Sequence, residues 1–226
     1  MKIIIVLTSV VLFGVIFLIP YNQVLALSVD QIDNYVGASI IHPAHPLYFL
    51  KTIRENFELK FAANPKTAVI RKIEFLTRRI REVKSLMHYQ RPDLISSTLE
   101  KYAKILDDIS GMDTQKRDVV NMAQDEVANH LVILIKRYTQ LENNRAKISF
   151  RRTISRISQW NIEMTKRLNT GGYTDLAKKQ IQLNLPACQF LSKEASSSAL
   201  NDVERVVLKK RADKCFIYYN VRQIYN

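Results

Sequence analysis

The segment NPKTAVIRKIEFLTRRIREVKSLMHYQR, residues 64–91, decides the fold class of this 226-residue chain. Its apolar residues recur every three or four positions, which places them along one face of an α-helix. Asn64 and Pro65 supply a cap and a first-turn proline at its start, and Pro92 ends it. The apolar positions are Val69, Ile73, Leu76, Ile80, Val83 and Met87. The segment therefore predicts one long amphipathic helix.

The same helical spacing continues along the rest of the chain. Further apolar stripes run over residues 47–61, 95–109, 114–143, 145–168, 173–194 and 201–220. Only five glycines and six prolines are present, which argues against a β-sandwich and against long linkers. We therefore predict an all-α fold, a helical bundle of about seven helices built from antiparallel hairpins. Gly111 divides a three-helix unit, residues 44–111, from a C-terminal helical region, residues 112–226.

The first 26 residues have the pattern of an export signal. Lys2 precedes the uncharged apolar run of residues 3–19, and Ala26 ends a stretch suited to signal peptidase. The apolar run just reaches the lower limit for a membrane-spanning helix, so an uncleaved anchor is the alternative. Pro20 favours cleavage, because a proline ends the helix before the peptidase site. Under both interpretations the remaining chain lies outside the cytoplasm, either secreted or in the cell envelope.

The stretch HPAHPLYFLK, residues 42–51, raises the question of a metal site. Pro43 and Pro46 keep His42 and His45 off one regular helix, and no neighbouring cysteine or carboxylate completes a ligand set. We therefore interpret the stretch as a helix start, in which Pro46 occupies the first turn and His45 is the cap. The predicted apolar face of this helix is Leu47, Leu50, Ile53, Phe57 and Phe61, and we expect Tyr48, Leu50 and Phe57 to be packing residues.

Residues 43 to about 110 resemble a bacterial family of extracytoplasmic domains of unknown function. Its members begin with a Pro-x-x-Pro-Leu-Tyr-x-x-Lys pattern after an export signal or anchor, and continue through a proline turn into a helix with an Arg-Arg segment. The matching residues are Pro43, Pro46, Leu47, Tyr48, Lys51, Pro65, Arg78, Arg79 and Glu82. His45 and Asn64 depart from the family pattern, although both can still cap a helix. The resemblance implies an extracytoplasmic helical domain and no known reaction.

Cys188 and Cys215 are the only cysteines of the chain. An even number outside the cytoplasm predicts a disulfide, which would join the last two helices. Free thiols are the alternative, because a helical hairpin that turns near Ser198 would place Cys215 one to two turns away from Cys188.

The chain is basic, with 34 lysines and arginines against 21 aspartates and glutamates and a net charge of +13. For an exported protein we expect partners such as anionic lipid, wall polymer or another envelope protein rather than nucleic acid. The alternative is a solvated surface that only keeps the protein soluble. The candidate contact residues are Lys136, Arg137, Arg145, Lys147, Arg151, Arg152 and Arg156 in one segment and Lys209, Lys210, Arg211 and Lys214 in another.

The sequence carries none of the short motifs that mark hydrolases, metalloproteases or nucleotide-binding enzymes. Glu126 and His130 lie four residues apart, but a metal-binding bundle needs paired motifs from several helices, so we interpret them as a surface contact. We therefore predict no enzyme activity and no cofactor. The predicted function is a cell-envelope interaction or structural protein, and the alternative is a membrane-anchored extracytoplasmic sensor or regulatory domain.

Processing of the leader gives the first testable prediction. We expect cleavage after Ala26, so that the mature protein begins at Leu27. Mass spectrometry of the N-terminal peptide from secreted and membrane fractions measures this directly. An intact residue 1–26 segment in the membrane fraction would instead favour the anchored sensor.

Overall fold

A computed structural model describes residues 28–110, 117–197 and 200–224, with side chains up to residue 218. Within these ranges the chain forms eight α-helices, one short 3-10 helix and no strand, which confirms the all-α prediction. The helices are α1 Val29–Val36, α2 Tyr48–Lys60, α3 Pro65–His88, α4 Ile95–Ser110, α5 Arg117–Tyr138, α6 Asn144–Thr170, α7 Thr174–Ala195 and α8 Asp202–Ile224.

The predicted leader, residues 1–26, lies outside the described residues. None of the helices in the described ranges has both the length and the hydropathy needed to cross a bilayer.

One apolar core extends over both units that the sequence predicts. The α3 stripe is buried from Val69 to Val83, and it packs with fully buried side chains of α4, α5 and α6 such as Tyr102, Leu131 and Phe150. Burying each side chain of this size stabilises the folded state by about 1.5–3 kcal/mol. Because α4 packs against both α3 and α6, the two predicted units share this core. Gly111 itself lies outside the described residues.

Helix α1 is an additional element that the apolar spacing did not predict. Ser28 and Gln31 form a capping box, in which the Ser28 hydroxyl accepts the Gln31 N–H and the Gln31 side chain accepts the Ser28 N–H. This Ser-x-x-Gln pattern is visible in the sequence and is a helix-start signal. Val36, at the end of α1, is buried in the core.

Asp33 of α1 is a buried carboxylate that joins three cations. Its carboxylate lies 2.6 Å from Lys84 Nζ, 3.0 Å from Lys136 Nζ and 2.5 Å from Arg137 Nη2. Burial raises the pKa of Asp33, but Lys84, Lys136 and Arg137 together lower it below its ordinary value. Lys136 and Arg137, which we expected on an anion-binding surface, therefore hold α1 against α5, and Lys84 holds it against α3.

The prediction that Glu126 and His130 form a surface contact is wrong for His130, which is fully buried. Its Nδ1 lies 3.2 Å from Tyr102 Oη, and its Nε2 lies 3.1 Å from Thr77 Oγ1 and 3.4 Å from Glu126 Oε1. The physical reason is that α5 is surrounded by α1, α3, α6 and α7. More than one of its faces is therefore inside the bundle.

Burial lowers the pKa of His130, although Glu126 acts in the opposite direction. The hydrogen bond from His130 helps to lower the pKa of Glu126 to about 2. In the unfolded chain an imidazole has a pKa near 6.5. The unfolded state therefore binds a proton more readily than the folded state does, and acidification favours unfolding.

We predict a loss of stability below about pH 6.5 that depends on His130. As the pH decreases, the free energy of unfolding of the wild type should fall relative to that of His130→Gln, by up to about 1.4 kcal/mol for each pH unit. Urea unfolding of both proteins between pH 7.5 and 5 measures this difference. His88→Gln is the matched control, because His88 is exposed and its loss should leave the wild-type profile unchanged. Parallel profiles for the wild type and His130→Gln would contradict the prediction.

Candidate functional site

The HPAHPLYFLK stretch forms two turns that lead into α2. The helix begins at Tyr48, two residues after the predicted position, and its backbone N-cap is Leu47. His45 Nδ1 accepts a hydrogen bond from the Leu47 N–H at 3.1 Å, and His42 Nδ1 accepts one from the Ala44 N–H at 3.3 Å. Within the described ranges no group of three or more histidines, cysteines or acidic residues could hold a metal ion.

Four of the residues that carry the family resemblance, Tyr48, Lys51, Arg79 and Glu82, meet with Glu55 in a polar cluster with a buried centre. We call these five residues the α2 latch. Glu82 is fully buried at the centre of this cluster. Its carboxylate forms ion pairs with Lys51 Nζ at 2.6 Å and with Arg79 Nη1 at 3.1 Å. Tyr48 Oη donates to Glu82 at 3.2 Å, and Arg79 also pairs with Glu55. Burial raises the pKa of Glu82, although the two cations oppose this. The latch therefore balances two cations against two carboxylates between α2 and α3.

Lys51 also fixes the loop that precedes α2. Its ammonium group donates to Ser39 Oγ and to the Ile41 carbonyl, both at 3.2 Å. Ser85 Oγ in turn donates to the Ser39 carbonyl at 2.8 Å. Polar contacts therefore attach both α2 and its preceding loop to α3.

The predicted packing of the α2 apolar stripe is wrong. Leu47, Leu50, Ile53, Phe57 and Phe61 are between 47% and 72% exposed, and α2 has no buried residue. The reason is that the opposite side of the helix, which carries Tyr48 and the latch residues, faces α3. Two faces of one helix cannot both contact the same neighbour, so the latch turns the apolar stripe outward.

Removing the charge of Glu82 should release α2 before the rest of the bundle. Glu82→Gln leaves Lys51 and Arg79 without their shared carboxylate, so we expect the free energy of unfolding to fall by about 3 kcal/mol. Amide hydrogen exchange should rise in α2 more than in α4. Urea unfolding and exchange mass spectrometry measure the two effects.

Glu100→Gln is the control for this prediction, because it removes an exposed carboxylate from α4 and should change stability by less than about 0.5 kcal/mol. Equal effects of the two substitutions, or a uniform rise in exchange, would show that Glu82 does not hold α2 specifically.

Cys188 and Cys215 form the predicted disulfide between α7 and α8, with their Cα atoms 5.5 Å apart. α7 ends at Ala195 and α8 begins at Asp202, so Cys188 lies seven residues before the end of its helix and Cys215 thirteen residues after the start of its own. The cysteines are thus offset in the hairpin as expected from a turn near Ser198, but the offset does not prevent the bond, because the packing of α7 and α8 still brings the two Cα atoms within bonding range. Ser198 lies outside the described residues.

A groove of about 620 Å³ lies between α6 and α8, with Asp107 and Ser110 of α4 also in its wall. We call it the basic groove, because arginines from both predicted basic segments line it. These are Arg151, Arg152, Arg156 and Arg211. Its apolar lining consists of Ile148, Trp160, Val203, Val207 and Leu208. Arginine side chains thus stand beside an apolar wall.

The four arginines differ in how far their charge is already neutralised. Arg151 lies 3.5 Å from a Glu194 carboxylate oxygen, and Arg156 forms a two-point ion pair with Asp107. Arg211 donates to the Ser155 hydroxyl at 2.8 Å, which is a neutral partner. Arg152 is exposed and has no ion pair within the described part of the chain. Arg152 and Arg211 are therefore the two cations best able to bind an added anion.

The other candidate contact residues lie away from the groove lining. Lys136 and Arg137 bind Asp33, as described above. Arg145 and Lys147 precede the groove on α6, and Lys209, Lys210 and Lys214 are exposed on α8. The sequence pattern did not single out Trp160 as a groove residue. Its buried indole N–H finds no acceptor among the described residues, and only the packing of α8 beside α6 shows that it lines a cleft.

Comparison with known proteins accounts for part of this chain. Residues 40–149 match the family described as Domain of unknown function (DUF5667). The matched region includes α2 to α5 and the start of α6. No curated protein and no solved structure matches the chain. The α2 latch lies within the matched region, whereas Arg151, Arg211 and the disulfide lie beyond it. Residues 40–149 are thus similar to the DUF5667 family, and the helices that follow form the disulfide and most of the basic groove.

Proposed function

We propose that this chain is a non-enzymatic protein of the cell envelope that binds an anionic ligand in the basic groove. The observation that carries the proposal is the joining of two basic segments, remote in sequence, in one cleft with an apolar wall. Arg152 and Arg211 stand in this cleft without a carboxylate partner.

The lining chemistry indicates the class of ligand. Guanidinium groups bind phosphate and carboxylate through forked pairs of hydrogen bonds. The apolar wall, which includes Trp160 and Val207, favours a ligand with an apolar portion next to its charge. A cavity of about 620 Å³ also lies within the size range of small-molecule sites, about 300–1,000 Å³. A phosphate or carboxylate group of an envelope lipid or wall polymer fits this description.

Two further observations support a binding role in the envelope. The described groove lining contains no histidine or cysteine, and its two carboxylates are Asp107, which pairs with Arg156, and Glu204. This lining therefore favours binding over acid–base or nucleophilic catalysis. The export pattern of residues 1–26 and the disulfide both favour an oxidising compartment.

The test removes the two uncompensated cations. Arg152→Gln/Arg211→Gln should weaken binding by about tenfold or more, because each charged hydrogen bond contributes about 1.5–3 kcal/mol. Arg151 and Arg156 are unsuitable for this purpose, since their ion pairs also hold the bundle together. Calorimetric titration with a soluble glycerol-phosphate polymer measures the affinity, and phosphatidylglycerol vesicles form a second arm that tests a lipid source.

The matched control is Lys178→Gln/Lys193→Gln, which removes two exposed charges from α7, a helix outside the described groove lining. Binding to the control should equal that of the wild type. Wild-type affinity should also fall with added salt, since charges are screened beyond about 8 Å at physiological ionic strength. Equal losses in both double variants would assign the attraction to net charge alone and refute the groove.

A further inference from the structure

Helix α2 is oriented with its charged side inward and its apolar side outward. Its inner side carries the latch, and Glu55 and Glu58 there pair with Arg78 and Arg79 of α3. Its outer side presents the apolar residues Leu47, Phe49, Leu50, Ile53, Phe57 and Phe61, which we call the α2 outer face. A soluble domain rarely leaves so many large apolar side chains together in water. The α2 outer face therefore requires a partner.

The charges around this face point to an anionic partner. Arg54 lies within the outer face, is 73% exposed and pairs with Glu58 at 2.6 Å, and Lys60 is exposed at the end of the helix. The acidic residues of α2, Glu55 and Glu58, are only 13% and 16% exposed because they face α3. The outer face is thus apolar and cationic.

A cleft beside the outer face has the same character. It measures about 490 Å³ and borders Leu50 on one side. Its charged lining residues in the described part of the chain are Lys51, Arg54, Arg78 and Arg81, and this lining holds no carboxylate. Lys51, Arg54 and Arg78 have carboxylate partners outside this lining, whereas Arg81 donates only to the neutral Val36 carbonyl. A cation of this kind beside an apolar surface matches the order of groups in a bilayer, where phosphates lie above acyl chains.

We propose that the α2 outer face docks on the surface of an anionic lipid bilayer. The apolar side chains enter the boundary between headgroups and acyl chains, as in other amphipathic interfacial helices. Arg54 and Lys60 extend toward the phosphates, because long basic side chains keep their charge at the interface while their stems lie in apolar surroundings. The cleft beside Leu50 receives a headgroup. This docking involves residues outside the basic groove and does not depend on it.

A second copy of the chain would cover this face less well. In a two-fold dimer the same patch meets itself, so both copies of Arg54 and Lys60 would lie in one interface to which the partner's face adds no exposed carboxylate. Like charges gathered at a desolvated interface oppose association. In the alternative in which the apolar run of residues 3–19 is retained as an anchor, it would also hold this helix next to a bilayer.

The experiment places a fluorescent probe in the face. Phe57→Trp should be quenched by vesicles of brominated phosphatidylglycerol, whereas Tyr173→Trp, an exposed aromatic position between α6 and α7, should not. The wild-type protein, whose single tryptophan Trp160 lines the basic groove, is titrated with the same vesicles and its quenching is subtracted. This readout is specific to position, so it holds whether or not the leader remains attached.

A second measurement tests the apolar contribution in the secreted form by vesicle co-sedimentation. Leu50→Gln/Phe57→Gln should weaken binding by about a hundredfold, from the loss of two buried apolar side chains. Thr52→Gln/Asn56→Gln, at exposed polar positions of α2, should leave binding unchanged. Circular dichroism and the unfolding midpoint verify that each variant is folded. Arg152→Gln/Arg211→Gln should leave the quenching of the Phe57→Trp probe unchanged.

Two results would overturn the proposal. One is a folded Phe57→Trp protein whose emission does not respond to anionic vesicles. The other is a dimer in solution that Leu50→Gln/Phe57→Gln converts to a monomer, which would assign the α2 outer face to a second copy of the chain.

Discussion

The buried carboxylate of Glu82 is the constraint on which the N-terminal half of the structure depends. A carboxylate inside a helical bundle is costly unless cations and hydrogen-bond donors surround it. Lys51 and Arg79 meet this requirement, and Lys51 belongs to α2. The helix must therefore turn its polar side toward α3. Such a buried ion pair adds little net stability compared with an apolar contact. Its consequence here is orientation, because it exposes the apolar side of α2.

Asp33 has a comparable role for α1, since a short helix with few apolar contacts is held by Lys84, Lys136 and Arg137. These two clusters show why the net charge of +13 does not form one continuous basic surface. Several cations neutralise buried carboxylates inside the protein. In the basic groove, the cations that remain without a carboxylate partner are Arg152 and Arg211. They lie where α6 and α8 border the cleft.

Periodic apolar spacing predicted most of the fold because the long helices bury the residues that the spacing marks, as α3 does from Val69 to Val83. The disulfide was predicted from the even number of cysteines and from the expected location outside the cytoplasm. The orientation of α2 could not be predicted, because its apolar stripe is real but the partner of its polar side, Glu82, lies more than twenty residues further along the chain. The burial of His130 could not be predicted for a similar reason, since a helix surrounded by four others buries residues outside its main apolar stripe.

The two surfaces lie in different parts of the chain, and this division bears on how they evolve and act. The α2 latch and the α2 outer face lie inside the DUF5667 match, whereas α8, which completes the basic groove, lies outside it. The matched region carries the orientation of α2 in its own residues, because Tyr48, Lys51, Arg79 and Glu82 all belong to it. Other chains that retain these four residues should therefore present an outward α2 face. The basic groove should occur only where helices equivalent to α6 and α8 follow, so surface docking and anion binding can be gained or lost separately.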